Sequence, residues 1–168
     1  DSVLISMANN PDLAITTDVA SGIYCNHASA SLTVSGALTY TWIRPDNTSS
    51  QGTTITISDL NNTTTGWYVV TGTDVNNCTA TDSIELSVSM PNVHVQSDND
   101  SIICPGESVN FTASSGGSTY SWSGPQGHIT SNQNFVLTNA APAHSGWYFV
   151  TVTDSNNCTA TDSTYLSV

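Results

Sequence analysis

A duplicated stretch limits what this chain can fold into. The segment from Gly66 to Ser83 returns 80 residues later as Gly146 to Ser163. Trp67-Tyr68-Val69-Val70 leads through Asp74-Val75-Asn76-Asn77 to Cys78; Trp147-Tyr148-Phe149-Val150 leads through Asp154-Ser155-Asn156-Asn157 to Cys158. Each copy reads as a strand, a tight polar turn and a second strand. Self-similarity at a fixed period marks a repeat architecture. Across 168 residues it implies two domains, at the small end of the usual size range. A domain that small buries only about 60–65% of its unfolded surface, so a covalent staple would help it.

Elsewhere, short runs alternate apolar and polar residues between clusters of Asn, Gly, Ser, Asp and Pro, and nothing persists at helical period. The pattern predicts strands near residues 13–16, 22–25, 29–35, 38–44, 53–58, 67–73 and 79–88. In the second copy they fall near 93–96, 101–104, 108–114, 119–123, 133–138, 147–153 and 159–168. Seven strands per repeat is the count of an immunoglobulin-like sandwich. The expected fold is therefore all-β: two tandem immunoglobulin-like antiparallel β-sandwich domains, residues 8–88 and 89–168, joined through Ser89-Met90-Pro91. Trp42 and Trp122 occupy the place of the buried core tryptophan, and Tyr68 and Tyr148 that of a tyrosine corner.

Residues 1–7, Asp1-Ser2-Val3-Leu4-Ile5-Ser6-Met7, match Asp82 to Val88 and Asp162 to Val168, the last strands of the two repeats. They read as the closing strand of a preceding repeat, which makes the chain a slice of a longer array. The alternative is an extended first strand of the first domain. In a variant, an orphan strand completes the sheet of a neighbouring subunit and builds a polymer.

Arg44 is the one basic residue, against 13 acids, for a net charge of −12. Nucleic acid and anionic membranes both need Lys and Arg to replace counterions, so neither is an expected partner. Charged residues make up 8% of the chain, where about 25% is usual, and Ser, Thr and Asn supply the polar surface instead. Such a surface suits an exported protein. No apolar run is long enough to cross a bilayer as a helix.

Four cysteines, two per repeat, point to an oxidising compartment. Zinc is disfavoured, since there is no Cys-x-x-Cys and no His at ligand spacing. Val34 with Val70, and Ala113 with Val150, stand where an antibody-type domain carries its cystine. The simplest pairing is within domains, Cys25–Cys78 and Cys104–Cys158. Loops of that size would contribute about 4 kcal/mol by the chain-entropy account. The two positions, however, approach opposite ends of an ideal sandwich. The open alternative joins Cys25 of one domain to Cys158 of the next, leaving Cys78 and Cys104 for neighbouring repeats.

Several segments together carry a family resemblance. They are Cys104-Pro105-Gly106-Glu107-Ser108-Val109-Asn110-Phe111, Tyr120-Ser121-Trp122-Ser123-Gly124-Pro125-Gln126-Gly127, the run from Ser145 to Asp154, and Asn157-Cys158. They resemble the Ig-like repeats of giant surface adhesins from gliding bacteria that use type IX secretion. The likeness spans both domains and is looser in the first, where Asn26-His27-Ala28 replaces Pro-Gly-Glu. It implies a cell-surface or secreted array with one cysteine pair per repeat, and it identifies no ligand. It also implies O-glycosylation at Asp-Ser-aliphatic sites, with Ser2, Ser83, Ser101 and Ser163 as candidates. Asp-Ser is equally ordinary turn chemistry in a serine-rich chain.

Other features are weighed on their residues alone. Asp98 and Asp100 in Ser97-Asp98-Asn99-Asp100 form a weak Ca²⁺ candidate without EF-hand spacing, and no other cofactor is expected. Trp67 and Trp147 precede inward tyrosines, so alternation turns them outward, together with Phe149. Outward aromatics stack on sugar rings or pack against a neighbour. His27, His94, His128 and His144 are scattered, and no nucleophile elbow, phosphate loop or paired carboxylates appear, so an enzyme is not expected. The sequence thus reads as a non-catalytic structural or adhesive repeat of an extracellular adhesin or filament. Its expected partners are neighbouring repeats, identical subunits and surface glycans. The alternatives are a carbohydrate-binding module or an accessory domain of a secreted hydrolase.

Overall fold

The structure is a computed structural model that describes residues 9–98 and 102–168. The chain divides into two compact units between Ser89 and Met90, and each is a two-sheet sandwich. The closing strand expected at residues 1–7 lies outside the described residues.

In the first unit, β1 (Ala14–Thr17), β3 (Ala30–Ser35) and β6 (Thr54–Ile57) form one antiparallel sheet in the order β1-β3-β6. The facing sheet has the order β2-β8-β7-β4-β5. It is built from β2 (Ile23–Cys25), β4 (Thr39–Ile43), β5 (Ser49–Gln51), β7 (Gly66–Thr73) and β8 (Thr79–Ser89). Period-two alternation drives the two sheets together. Ala30, Leu32 and Val34 of β3, Tyr40 and Trp42 of β4, and Tyr68 and Val70 of β7 all point into one core and are buried.

The second unit repeats the plan. Strands β9 (Val95–Ser97), β10 (Val109–Ala113) and β13 (Asn134–Leu137) make one sheet. Strands β11 (Thr119–Gly124), β12 (Gly127–Thr130), β14 (Gly146–Thr153) and β15 (Thr159–Leu166) make the other. A single 3₁₀ turn, Pro142–His144, precedes β14. Val109, Phe111 and Ala113 fill the core opposite Trp122, Tyr148 and Val150. Phe111 stacks on Tyr148 and on Phe135, with ring centroids 4.6 and 4.8 Å apart. Among the described residues of either unit, no polar or charged side chain is fully buried.

Two strands were not anticipated. β5 and β12 add a further strand beside β4 and β11. In the second unit, the strand expected at 101–104 is reduced among the described residues to one parallel bridge, Ile102 to Ser167.

Both core tryptophans carry a polar handle. The Trp42 indole N–H donates to the Gly52 carbonyl at 3.1 Å, and that of Trp122 to the Gln133 carbonyl at 3.2 Å. The Tyr68 hydroxyl donates to the Thr64 carbonyl at 2.8 Å, and the Tyr148 hydroxyl to the His144 carbonyl at 3.0 Å. Each bond ties the loop before the strand to the strand itself, the tyrosine-corner geometry.

The cysteine pairing requires a correction. Cys25 and Cys158 are disulfide-bonded, whereas Cys78 and Cys104 are free thiols. Neither Cys25–Cys78 nor Cys104–Cys158 is formed. Strand length forbids both. Cys25 lies opposite Ser89 at the end of β8, while Cys78 immediately precedes Thr79 at its start. The 11 residues of β8 at about 3.3 Å each separate them by roughly 36 Å, and a disulfide needs Cα atoms within about 7 Å. In the second unit, Cys104 follows Ile102, which bridges Ser167, while Cys158 precedes Thr159. The gap from Cys158 to Ser167 is about 30 Å by the same rise.

Candidate functional site

The two long hairpins, β7–β8 and β14–β15, set the geometry of the outward surface. Both turns are built alike. In the first, the Asp74 carboxylate accepts the backbone N–H groups of Asn76 and Cys78, each at 2.8 Å. The Asp74 N–H donates to the Cys78 carbonyl at 3.0 Å. In the second, the Asp154 carboxylate accepts those of Asn156 and Cys158, again at 2.8 Å. Asn77 and Asn157 take left-handed backbone conformations, both with φ of 62°. Asn tolerates that region better than most residues, and an Asp that binds backbone two residues on is natural turn chemistry. The Asp-x-Asn-Asn-Cys run therefore fixes the register of each hairpin.

That register decides which side chains share a face. In the second hairpin Trp147 lies opposite Tyr165 and Phe149 opposite Ser163. Trp147, Phe149 and Tyr165 are 53%, 43% and 46% exposed. The Trp147 and Tyr165 rings meet edge to face with centroids 5.4 Å apart, and Phe149 lies 6.5 Å from Trp147. Beyond them on the same face are hydroxyls, with the Thr151 and Thr161 Oγ1 atoms 3.1 Å apart. The result is an open aromatic platform bordered by hydroxyl groups.

The first hairpin lacks this platform. Trp67 is exposed, but Glu85 lies opposite it and Val69 takes the place of Phe149. Three outward aromatics are thus a property of the second domain alone. Trp147 and Phe149 were expected outward from alternation; Tyr165 was missed. Its signal was available, because a tight turn after Thr153 pairs Trp147 with Tyr165 by simple counting along the hairpin.

A groove of about 410 Å³ opens on the same domain beside β12 and β13, lined by Pro125, Ile129, Phe135, Leu137, His144 and Tyr148. It reaches the Phe135 and Tyr148 rings.

The other candidate residues fall apart in space. Ser83 and Ser163 lie on the outward faces of β8 and β15, and each N–H donates to the preceding aspartate, Asp82 at 2.7 Å and Asp162 at 2.8 Å. Ser2 and Ser101 lie outside the described residues. So does Asp100, while the Asp98 carboxylate is engaged by the Asn110 backbone N–H at 2.9 Å. Among the described residues no three His, Cys, Asp or Glu side chains gather to hold a metal. No described helix is long and apolar enough to cross a membrane.

One electrostatic cluster was not foreseen. The Tyr24 hydroxyl donates to the Asp18 carboxylate at 2.5 Å and also meets the Thr17 hydroxyl. Asp18 accepts the Ser31 N–H at 3.0 Å as well. Bonding to Tyr24 and then to Ser31 holds the Asp18 carboxyl below the ordinary aspartate value. Burial, reinforced by Asp18, pushes Tyr24 up.

Comparison with solved structures places this architecture among immunoglobulin folds. The chain is similar to three N-terminal domains of the Highly Immunogenic Outer Capsid protein (Hoc) of bacteriophage RB49. That match has a TM-score of 0.52 and 19% identity over 95% of this chain, which spans 59% of the Hoc chain. It is similar at the same TM-score to DIP-gamma IG1+IG2, with 14% identity over 95% of this chain and 98% of that one. Identities this low speak to fold alone. No family model and no curated protein matches the chain.

Proposed function

We propose that this chain is a non-catalytic structural and adhesive module of an extracellular surface protein or filament. The observation that carries the proposal is the repetition of one domain plan. Both domains hold the same sandwich, the same Asp-locked hairpin and the same pair of cysteines, one at either end of the last strand. Disulfide chemistry at Cys25 and Cys158 and the nearly lysine- and arginine-free surface support an oxidising, protease-exposed setting. The finer reading is a repeat of a bacterial gliding-type adhesin, secreted and carrying O-linked glycans on serines such as Ser83. Repeats arranged in series would space a distal tip from a cell. Regular filaments from the natively secreted protein, seen by electron microscopy, with an intact mass above that of the polypeptide, are the expected result. A soluble, unmodified monomer in the native secretome would sink the reading.

The platform of Trp147, Phe149 and Tyr165 favours one second reading, carbohydrate recognition. Aromatic faces bordered by hydroxyls stack on the apolar faces of sugar rings. Binding of the isolated chain to a glycan array, lost in Trp147→Ala with an unchanged melting temperature, is the expected outcome on that reading. Equal binding by the variant would remove it.

A further inference from the structure

We propose that copies of this chain join covalently head to tail, through a disulfide between Cys104 of one copy and Cys78 of another. The partner is therefore a second copy of this chain, and the linkage does not depend on whether the aromatic face binds a ligand.

The argument begins inside each domain. A cysteine at the hairpin tip marks one pole and a cysteine beside the end of the last strand marks the other. Roughly 36 Å of β8 separates Cys78 from Cys25, and about 30 Å lies between Cys158 and the Ile102–Ser167 bridge beside Cys104, at the usual strand rise. A disulfide formed by any of the four must therefore leave its own domain.

The environments are equivalent as well as opposed. Cys25 and Cys104 each open a four-residue turn. His27 in one turn and Gly106 in the other have positive φ, 64° and 91°, and donate to the Leu60 and Ala140 carbonyls, both at 2.7 Å. Cys78 and Cys158 each close an Asp-locked hairpin with the same 2.8 Å bond from their backbone N–H. Cys104 is thus the structural counterpart of Cys25, and Cys78 that of Cys158. The two disulfide-bonded residues, Cys25 and Cys158, are one strand-end and one hairpin-tip cysteine. The two free thiols, Cys104 and Cys78, are the complementary strand-end and hairpin-tip pair. Cys104 is exposed and Cys78 half-buried, so neither is sealed in a core. A contact between unlike poles is heterologous; it does not close on itself and propagates as a chain.

The chemistry is ordinary thiol–disulfide exchange with a small-molecule disulfide as oxidant. The Cys104 thiolate attacks one sulfur of the oxidant, forming a mixed disulfide and releasing the other half as a thiolate. Cys78 of a second copy then attacks the Cys104 sulfur and displaces the remaining half. Two protein thiols lose two protons and two electrons, and the oxidant becomes two thiols.

The test uses the 168-residue chain oxidised with glutathione disulfide and run on a non-reducing gel. Wild type is expected to give a ladder of covalent multimers that collapses on reduction. Cys78→Ser alone and Cys104→Ser alone are each expected to stay monomeric, whereas an equimolar mixture of the two is expected to give dimer and nothing larger. Mass spectrometry of the dimer is expected to find a Cys78–Cys104 peptide. Circular dichroism of both variants checks that they are folded. Dimer from either variant alone, or a mixture of folded variants that stays monomeric, would overturn the proposal.

Discussion

Val152 occupies the space that Gly117 leaves empty: a Cβ on Gly117 would stand 2.4 Å from Val152 Cγ1. At the matching positions of the first domain the sizes are exchanged. Gly72 takes the place of Val152 and Ala37 that of Gly117, and a Cβ on Gly72 would meet Leu13 Cδ2 at 2.6 Å and Ala37 Cβ at 2.9 Å. The two repeats fill one corner of the core in opposite ways. Gly117→Ala is expected to destabilise the second domain by about 1–3 kcal/mol, the usual cost of overpacking. Adding Val152→Ala is expected to recover part of that loss. A thermal-melt double-mutant cycle on the four proteins gives the coupling, and additive effects would show that the two sites do not compete for space.

Trp122 is expected to be the costliest truncation in the second domain. Its side chain is fully buried and packs near Phe111 and edge-on to Phe135. Trp122→Ala removes that volume and the indole bond to Gln133, for an expected loss of about 3–5 kcal/mol. Trp122→Phe keeps most of the ring and is expected to cost less. Urea denaturation followed by far-ultraviolet circular dichroism ranks the three proteins.

The tyrosine corners make a prediction at high pH. Burial raises the Tyr68 and Tyr148 hydroxyls above the ordinary tyrosine value. A group whose folded value is raised stabilises fully below its unfolded value, near 10, and loses that contribution as pH rises through the folded value. Both domains are therefore expected to weaken above about pH 10. Tyr148→Phe is expected to cost about 1 kcal/mol at neutral pH through loss of the bond to His144. It is also expected to flatten the alkaline limb of the second domain, as read from melting temperature against pH.

Asp18 governs a prediction at low pH. Its carboxyl is held down by Tyr24 first and the Ser31 N–H second. A lowered carboxylate stabilises above its unfolded value, near 3.9, and that contribution is lost as pH falls through the folded value. Asp18→Asn is expected to remove this acid-dependent part of the first domain's stability. Side-chain carboxyl chemical shifts followed from pH 7 to 2 would show an ordinary Asp18 titration if the bond to Tyr24 were absent.

The turn at His27 offers a direct comparison between repeats. The turn after Cys104 uses Gly106 at φ 91°, where the first domain holds His27 at φ 64°. Both make the same bond across to the opposite loop, to Ala140 and Leu60. His27 adds a 2.5 Å contact between Nδ1 and the Asp59 carboxylate. Gly106→His is expected to cost about 1 kcal/mol, since the left-handed region is strained for a residue with a Cβ. Melting temperature reads the change.

Much of the fold was legible because the core strands alternate strictly. Leu32 and Val34, and Phe111 and Ala113, alternate with polar neighbours that face outward, so the two-residue period alone places them inside. The repeat then aligned these strands with their partner copies. Strands β5 and β12 were not legible because they are short, polar edge strands with no apolar stripe. Their residues, Ser49-Ser50-Gln51 and Gly127-His128-Ile129-Thr130, look like loop until β4 and β11 supply the hydrogen bonds. Tyr165 escaped for a different reason. Its significance depends on hairpin register, and a window along one strand does not show what lies across from it. The within-domain cysteine pairing failed because the strand between the two sulfurs outspans a disulfide; the two bonded residues, Cys25 and Cys158, are those of the alternative left open. The Asp18–Tyr24 cluster joins an irregular turn to β2 and leaves no periodic trace.

The parallel pairing of β2 with β8 has a mechanical consequence. The described chain of the first domain starts near the pole that holds Cys78, where Ala14 lies opposite Ser35, and leaves at the other, beside Cys25 and Ser89. Tension drawn between those points slides β2 and β8 along each other in opposite directions. Load falls on the pairs Ile23 with Ser87, Tyr24 with Val88 and Cys25 with Ser89 together, in shear, rather than peeling them one after another. Among the described residues of the second domain the same clamp has one rung, Ile102 with Ser167.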